Sequence, residues 1–184
     1  MALYTKKGDN GTTGKFGCDQ RMSKSSAVAE ALGTLDEANS YLGLCKLKAH
    51  EAQCMIDGKK VGGILHEVQD DLFIIQAEVA GADKTVSEEK VEWLEGVISE
   101  LEEALPEINS FFISGGSELS TYFDFARTLA RRAERRVVGV HDEGVQKIEE
   151  QTLAYLNRLS SLLYALARYA NMQNGTEEAA PDYV

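Results

Sequence analysis

The chain has 184 residues, 43% apolar and 27% charged, the balance of an ordinary globular protein. That length favours one domain, and folding at this size buries about 70% of the unfolded surface, so the core needs neither disulfide nor metal. With 19 Lys plus Arg against 30 Asp plus Glu, the formal net charge of −11 disfavours non-specific binding of nucleic acid or anionic membrane, since both need basic surface.

Cysteine is sparse. Cys18, Cys45 and Cys54 form no CxxC pair, which indicates neither a zinc knuckle nor a disulfide framework, and predicts free thiols in a reducing cytoplasm. The start runs into Lys6, Lys7 and Asp9 with no apolar stretch, so no secretory signal is expected. No uncharged apolar run approaches about 18 residues, so no membrane span is expected.

Along the chain, Leu3-Tyr4-Thr5 reads as a short strand. Gly8, Gly11, Gly14 and Gly17 then recur at every third position, a density no helix tolerates at nearly 1 kcal/mol each relative to Ala, so the segment is a loop or loose hairpin. From Ser25 the pattern turns helical, with Leu32, Leu35, Ala38, Leu42 and Cys45 on one face. A second helix is predicted over about 60–81, with Ile64, Leu65, Val68, Leu72, Ile75 and Val79 as its stripe. A third starts near Thr85 or Ser87, both acceptable caps, and ends before Pro106, with Val91, Leu94, Ile98, Leu101 and Leu105 inward. The fourth comes after the Ser114-Gly115-Gly116-Ser117 turn and reaches about Val140. The fifth runs from about Gln146 to Met172, and Asn174-Gly175 stops it.

These elements predict an all-α fold, a five-helix up-and-down bundle of ferritin-like type with an amino-terminal Gly-rich loop. The organisation is one domain over 1–175 (loop 1–23, bundle 25–173) and a flexible acidic tail over 176–184.

The chemistry concentrates in one segment. Five arginines, Arg127, Arg131, Arg132, Arg135 and Arg136, fall within ten positions of an acidic chain. On a helix, Arg127, Arg131 and Arg135 form one ridge and Arg132 and Arg136 a second. Like charges at i, i+4 repel by some tenths of a kcal/mol unless an anion faces them. Guanidinium suits bidentate binding of phosphate. The ridge therefore reads as a polyphosphate site or as a solvated face paired with Glu. The Gly-rich loop with Lys6, Lys7, Thr12 and Thr13 is a second anion-competent segment. It is not a P-loop, because Asp9 and Phe16 stand where that motif needs Gly and Ser or Thr.

Negative searches narrow the class. His50, His66 and His141 fall in neither Glu-x-x-His nor His-Glu-x-x-His, so di-iron and zinc-protease sites are disfavoured. No G-x-S-x-G or Cys/His pair supplies a nucleophile. An enzyme here would position two substrates and stabilise a charged leaving group.

Five motifs occur in one order: Thr5-Lys6-Lys7-Gly8-Asp9-Asn10-Gly11-Thr12-Thr13-Gly14; Gly33-Thr34-Leu35-Asp36-Glu37-Ala38-Asn39-Ser40 with Gly43; Phe111-Phe112-Ile113-Ser114-Gly115-Gly116; Ala126-Arg127-Thr128 with Arg131-Arg132-Ala133-Glu134-Arg135; and Leu156-Asn157-Arg158-Leu159-Ser160. The series resembles the PduO-type ATP:cob(I)alamin adenosyltransferases from Thr5 to about Asn171. The resemblance implies transfer of the 5′-deoxyadenosyl group of ATP to cobalt, with ATP, Mg²⁺ and cobalamin bound by a homotrimer whose sites lie between subunits. It implies that Thr5, Lys6, Lys7, Gly8, Thr13, Gly14 and Lys24 wrap the triphosphate. Arg131, Arg132, Ala133, Glu134, Arg135 and Asn157 complete that site, with Glu134 near Mg²⁺. Asp36 pairs with Arg127 across the interface, and Phe111 presses on the lower face of the corrin. A corrinoid reductase and a cobalamin-dependent acceptor enzyme are the implied protein partners.

The sequence departs from the family pattern at five places. Ser114 replaces a usual Pro, Asp124 a frequent His, Val28 a common Arg, Ser161 a frequent Asp, and Lys15-Phe16 a common Leu-Val pair. The changes gather toward the first helix and the corrin side. The alternative they raise is an ATP-binding relative without transferase activity, acting as a sensor or cofactor-delivery protein.

Overall fold

The computed structural model describes residues 4–14, 16–17, 19–107 and 109–183; Leu3, Lys15 and Cys18 lie outside the described residues. Five helices form: α1 (Ala27–Glu51), α2 (Val61–Val79), α3 (Glu88–Ala104), α4 (Glu118–Asp142) and α5 (Glu150–Gln173). α1 and α4 start on a serine whose side chain accepts a free amide group of the first turn. Ser26 accepts from the Ala29 N–H at 3.3 Å and Ser117 from the Ser120 N–H at 3.2 Å. Of the two candidate caps for α3, Ser87 holds the position. Thr85 instead sets its hydroxyl 3.4 Å from that of Thr152.

α5 begins at Glu150, later than the expected Gln146. The reason lies on α2. The buried Glu78 carboxylate accepts from the Glu149 N–H at 2.7 Å and from the Thr152 hydroxyl at 2.5 Å, a cap supplied from 71 residues away.

Short strands flank the helices, where the sequence pattern suggested none after the amino-terminal loop. β1 (Thr12–Gly14) pairs antiparallel with β2 (Arg21–Ser23), and β3 (Met55–Ile56) with β4 (Lys59–Lys60) between α1 and α2. Tyr4 and Thr5 carry no strand; the amino-terminal pairing starts at Thr12.

α1 packs on α2 and α4, α4 on α5, and α5 on α3. Cross-links set the directions. Glu30–Arg136 and Lys48–Glu118 make α1 and α4 antiparallel. Asp124–Arg168 and Glu134–Asn157 do the same for α4 and α5. The predicted stripes are the core, with Leu35, Leu42, Leu65, Leu72, Leu94, Leu101, Leu156 and Leu163 at 0–1% exposure. Each such side chain contributes about 1.5–3 kcal/mol on burial. One polar layer crosses it: the Tyr155 hydroxyl donates to Asp71 Oδ2 at 2.8 Å, and Lys90 Nζ lies 2.5 Å from Asp71 Oδ1.

Because α3 packs on α5 and not chiefly on α4, the 105–117 connection must cross the carboxyl end of α5. That crossing carries Phe111–Gly116 over Arg168 and Asn171. The last residues, expected as a flexible tail, fold back onto the same place: Ile113 donates its N–H to the Ala179 carbonyl at 2.9 Å, and Asn171 Nδ2 donates to Glu178 Oε1 at 2.7 Å. Among the described residues no helix is long and apolar enough to cross a membrane. Cys45 and Cys54 are free thiols.

Candidate functional site

The α4 arginines sort into two rows with different surroundings. Arg132 and Arg136 turn toward α1, where Arg132 Nη2 contacts the Glu37 carboxylate and Arg136 Nε lies 3.5 Å from Glu30 Oε1. The paired, solvated reading holds for that row within one chain. Arg127 and Arg131 turn the other way and line a groove of about 1,120 Å³ between α3, α4, α5 and residues 105–107 and 109–114. Arg131 has no ion pair among the described residues. Arg127 Nε is buried without a hydrogen-bond partner and stands 3.8 Å from Asp124 Oδ1. Arg135 Nη1 donates to the Arg131 carbonyl at 3.1 Å, so among the described residues Asp124, beside Arg127, is the one carboxylate paired with that ridge.

Glu134, one residue before Arg135, accepts from Asn157 Nδ2 at 3.1 Å, so two motifs distant in sequence meet. Ala133, just before Glu134, is buried, its small side chain letting α4 sit close on the core. Among the described residues no cluster of three or more His, Cys, Asp or Glu is placed to hold a metal. Glu134 offers one carboxylate.

Phe111 stands at the mouth of the groove with 78% of its surface exposed. Ser114, Ser161 and Tyr164 share the lining. The turn behind Phe111 is rigidly tethered. Gly115 and Gly116 have φ of 115° and 110°, which only glycine adopts without strain. A β-carbon on Gly116 would also lie 2.7 Å from Asn171 Oδ1. Asn171 donates to the Gly115 carbonyl at 2.9 Å and accepts from the Ser117 N–H at 2.8 Å.

The departures from the family pattern have structural places. Asp124 Oδ2 accepts from the Gly115 N–H at 3.1 Å and from Arg168 Nη2 at 3.0 Å. Val28 belongs to the core.

At the amino end, Arg21 organises the Gly-rich segment, and the local sequence offered no signal for it. Its Nη2 donates to the Lys7 carbonyl at 2.7 Å and the Thr12 carbonyl at 2.9 Å, and its Nε to the Thr12 hydroxyl at 2.8 Å. The Lys24 N–H donates to the Gly11 carbonyl at 2.9 Å. A β-carbon on Gly8 would stand 3.2 Å from Lys24 Nζ, so the bare glycine admits that ammonium. Thr13 pairs with Met22, Gly14 ends β1, Lys6 takes a left-handed φ of 59°, and Thr5, Lys6 and Lys7 are exposed or nearly so.

No hydrogen bond or ion pair of the described residues joins this segment to Arg127, Arg131, Glu134 or Asn157. Asp36 is exposed on α1 and makes no ion pair among the described residues. One chain therefore presents two anion-competent surfaces that it does not bring together. A separate cavity of about 520 Å³, bounded by Lys48, Glu118 and Asn174, contains none of the expected site residues.

Residues 3–170 match the family described as cobalamin adenosyltransferase. The chain belongs to that family. This adenosyltransferase-family chain is 38% identical over 195 residues to the corrinoid adenosyltransferase PduO of Citrobacter freundii, a match covering 100% of the chain and 55% of that protein. It is 38% identical over 179 residues to the corrinoid adenosyltransferase of Bacillus subtilis, covering 95% of the chain and 89% of that protein. The chain spans about half the length of the Citrobacter and Salmonella PduO relatives, 55% and 49%. Among solved structures, a variant PduO-type ATP:corrinoid adenosyltransferase from Lactobacillus reuteri complexed with cobalamin and ATP superposes with a TM-score of 0.86 at 30% identity, covering 99% of this chain and 97% of that one. Another variant of the Lactobacillus reuteri enzyme, complexed with ATP, gives 0.85 at 29% identity, covering 98% of this chain and 100% of that one.

Proposed function

We propose that this chain transfers the 5′-deoxyadenosyl group of ATP to the cobalt of cob(I)alamin, releasing triphosphate. The observation that carries the proposal is the groove in which Arg131, free of any ion pair among the described residues, and the incompletely partnered Arg127 face an exposed Phe111. Cobalt(I) is itself the nucleophile, so the protein need supply none. A cobalt–C5′ bond forms as the C5′–oxygen bond breaks, and triphosphate leaves with the electron pair. Negative charge develops on the leaving oxygens, where preorganised cations and N–H donors lower the barrier most.

Arg131, Arg127 and Arg135 supply guanidinium groups from α4, together with Arg132 once it exchanges Glu37 for phosphate. Lys6, Lys7, Lys24, the Thr5 and Thr13 hydroxyls and the amides of Gly8 and Gly14 supply donors from the amino-terminal segment. Mg²⁺ is held by one or two carboxylates plus substrate phosphates, so a single Glu134, fixed by Asn157, fits that ion as it would arrive with ATP. When bound it neutralises phosphate charge.

The two surfaces join when a neighbouring subunit sets its amino-terminal segment against the α4 ridge, in a homotrimer with Asp36 of one subunit on Arg127 of the next. The separation of the two surfaces within one chain supports this assembly, as does a patch of partly exposed apolar side chains on α1 and α4. There Tyr41 packs edge-on to Phe125 at 4.9 Å, and Phe125 and Leu44 are about half exposed at 50% and 47%. Phe111 lies against the lower corrin face and excludes water from it. A reducing cytoplasm, with a reductase delivering electrons to cobalt and an acceptor enzyme taking the product, completes the reading.

A single-turnover assay tests it. Reduced cobalamin, MgATP and the protein should yield the absorbance of adenosylcobalamin. ATP binding without that product would overturn the transferase reading and favour a nucleotide-binding relative that senses or delivers the cofactor.

A further inference from the structure

Arg168 is an almost fully buried cation, 2% exposed near the end of α5, and it serves two carboxylates from different parts of the chain. Its Nη2 donates to Asp124 Oδ2 of α4 at 3.0 Å. Its Nε lies 2.8 Å from Glu178 Oε1 of the carboxyl-terminal segment, an ion pair without the alignment of a hydrogen bond. The guanidinium also sits over two rings, 5.0 Å from the centre of Tyr164 and 5.7 Å from that of Phe112. A buried charge is stable only when paired, so these contacts depend on one another.

The tethers of the Phe111 loop converge on this cation and its neighbours. Ile113 donates to the Ala179 carbonyl at 2.9 Å, beside Glu178. Gly115 donates to the same Asp124 oxygen that Arg168 holds, at 3.1 Å. Asn171, one turn after Arg168, grips the Gly115 carbonyl, the Ser117 amide and Glu178 together. Among the described residues Phe111 has no such tether of its own, and it is aimed by the anchored residues 112–117.

We infer that Arg168 and Glu178 are positioning residues for the Phe111 loop, so that the carboxyl-terminal segment sets the geometry of the corrinoid side of the groove. Neither residue lines that groove, and each acts through Phe112, Ile113 and Gly115. Asp124 extends the arrangement, because its other oxygen faces Arg127. The inference rests on the transferase reading for its kinetic consequence and on geometry alone for the tether.

Two variants separate charge from chain. Glu178→Gln keeps the shape and the acceptor for Asn171 but removes the charge on Arg168. A chain ended after Gly175 removes the whole segment and leaves the Asp124–Arg168 pair in place. Each is compared with the wild type in steady-state kinetics and in amide hydrogen exchange at Ile113 and Gly115. The expected result is a KM for cob(I)alamin raised about fivefold or more, a KM for ATP within about twofold, and exchange at both amides at least about tenfold faster, with helix content retained. Parallel rises in both KM values, or unchanged exchange at both amides, would overturn the inference. If the wild type forms no adenosylcobalamin, the transferase reading fails by itself, and the exchange result still decides the tether.

Discussion

Arg127 Nε stands 3.8 Å from Asp124 Oδ1, one turn earlier on α4, and that buried nitrogen has no hydrogen-bond partner. Asp124 gives its other oxygen to Arg168 and Gly115. One carboxylate thus stands between the cations that face the groove and the loop that carries Phe111.

The contrast between the α4 rows gives a paired test. Arg131→Ala should lower kcat/KM for ATP by about 30-fold or more, since truncating one partner of a charged contact that the bound nucleotide would bury costs about 2–5 kcal/mol. Arg136→Ala should stay within about twofold, because its exposed pair with Glu30 contributes about 0–1 kcal/mol. Equal losses from both substitutions would mean that the ridge acts only through net charge.

Phe111→Ala should slow turnover severely while ATP affinity, read by calorimetry, changes little. The ring is exposed, so its removal leaves no core cavity and stability should hold. A matching loss of ATP binding would place Phe111 in the nucleotide site instead.

Much of the helical frame is legible in the sequence. The stripes through Leu35, Leu72, Leu94 and Leu163 predict the helices because 3–4 residue spacing reports a buried face directly. Glu134 and Asn157, singled out from motifs far apart in sequence, stand within one hydrogen bond of each other. Arg21 is not legible, because its role depends on the β1–β2 register. The Glu78 cap and the Glu178–Arg168 pair are hidden for the same reason: each joins groups more than a helical turn apart in sequence. An acidic tail containing Pro181 reads locally as unfolded, and its contacts with Arg168, Asn171 and Ile113 have no local signal.

Removing the remote cap should cost stability. Glu78→Ala leaves the Glu149 N–H and the Thr152 hydroxyl without their acceptor. Each buried orphan costs about 1–3 kcal/mol, so the urea midpoint should fall clearly. An unchanged midpoint would mean that water replaces the carboxylate.

Burial pushes the Cys45 thiol up to about 12. The unfolded thiol ionises first as pH rises, while the folded one keeps its proton. The contribution is therefore complete below the unfolded value and is lost as pH rises toward the folded one, at up to about 1.4 kcal/mol per pH unit. Burial, with Asp71 beside it, pushes Tyr155 in the same direction. Unfolding free energy should decline between about pH 9 and 12, and Cys45→Ala should flatten that decline. An identical slope in the variant would remove Cys45 as a cause.

Complementation between two inactive variants tests most directly whether the nucleotide site is shared between subunits. Lys7→Ala damages the amino-terminal surface and Arg131→Ala the α4 ridge. Co-expressed, they should assemble mixed oligomers in which about a quarter of the sites combine an intact segment with an intact ridge, as a cyclic head-to-tail interface requires. Adenosylcobalamin formation should return to about that fraction of wild type. Mixed oligomers as inactive as either parent would contradict the account.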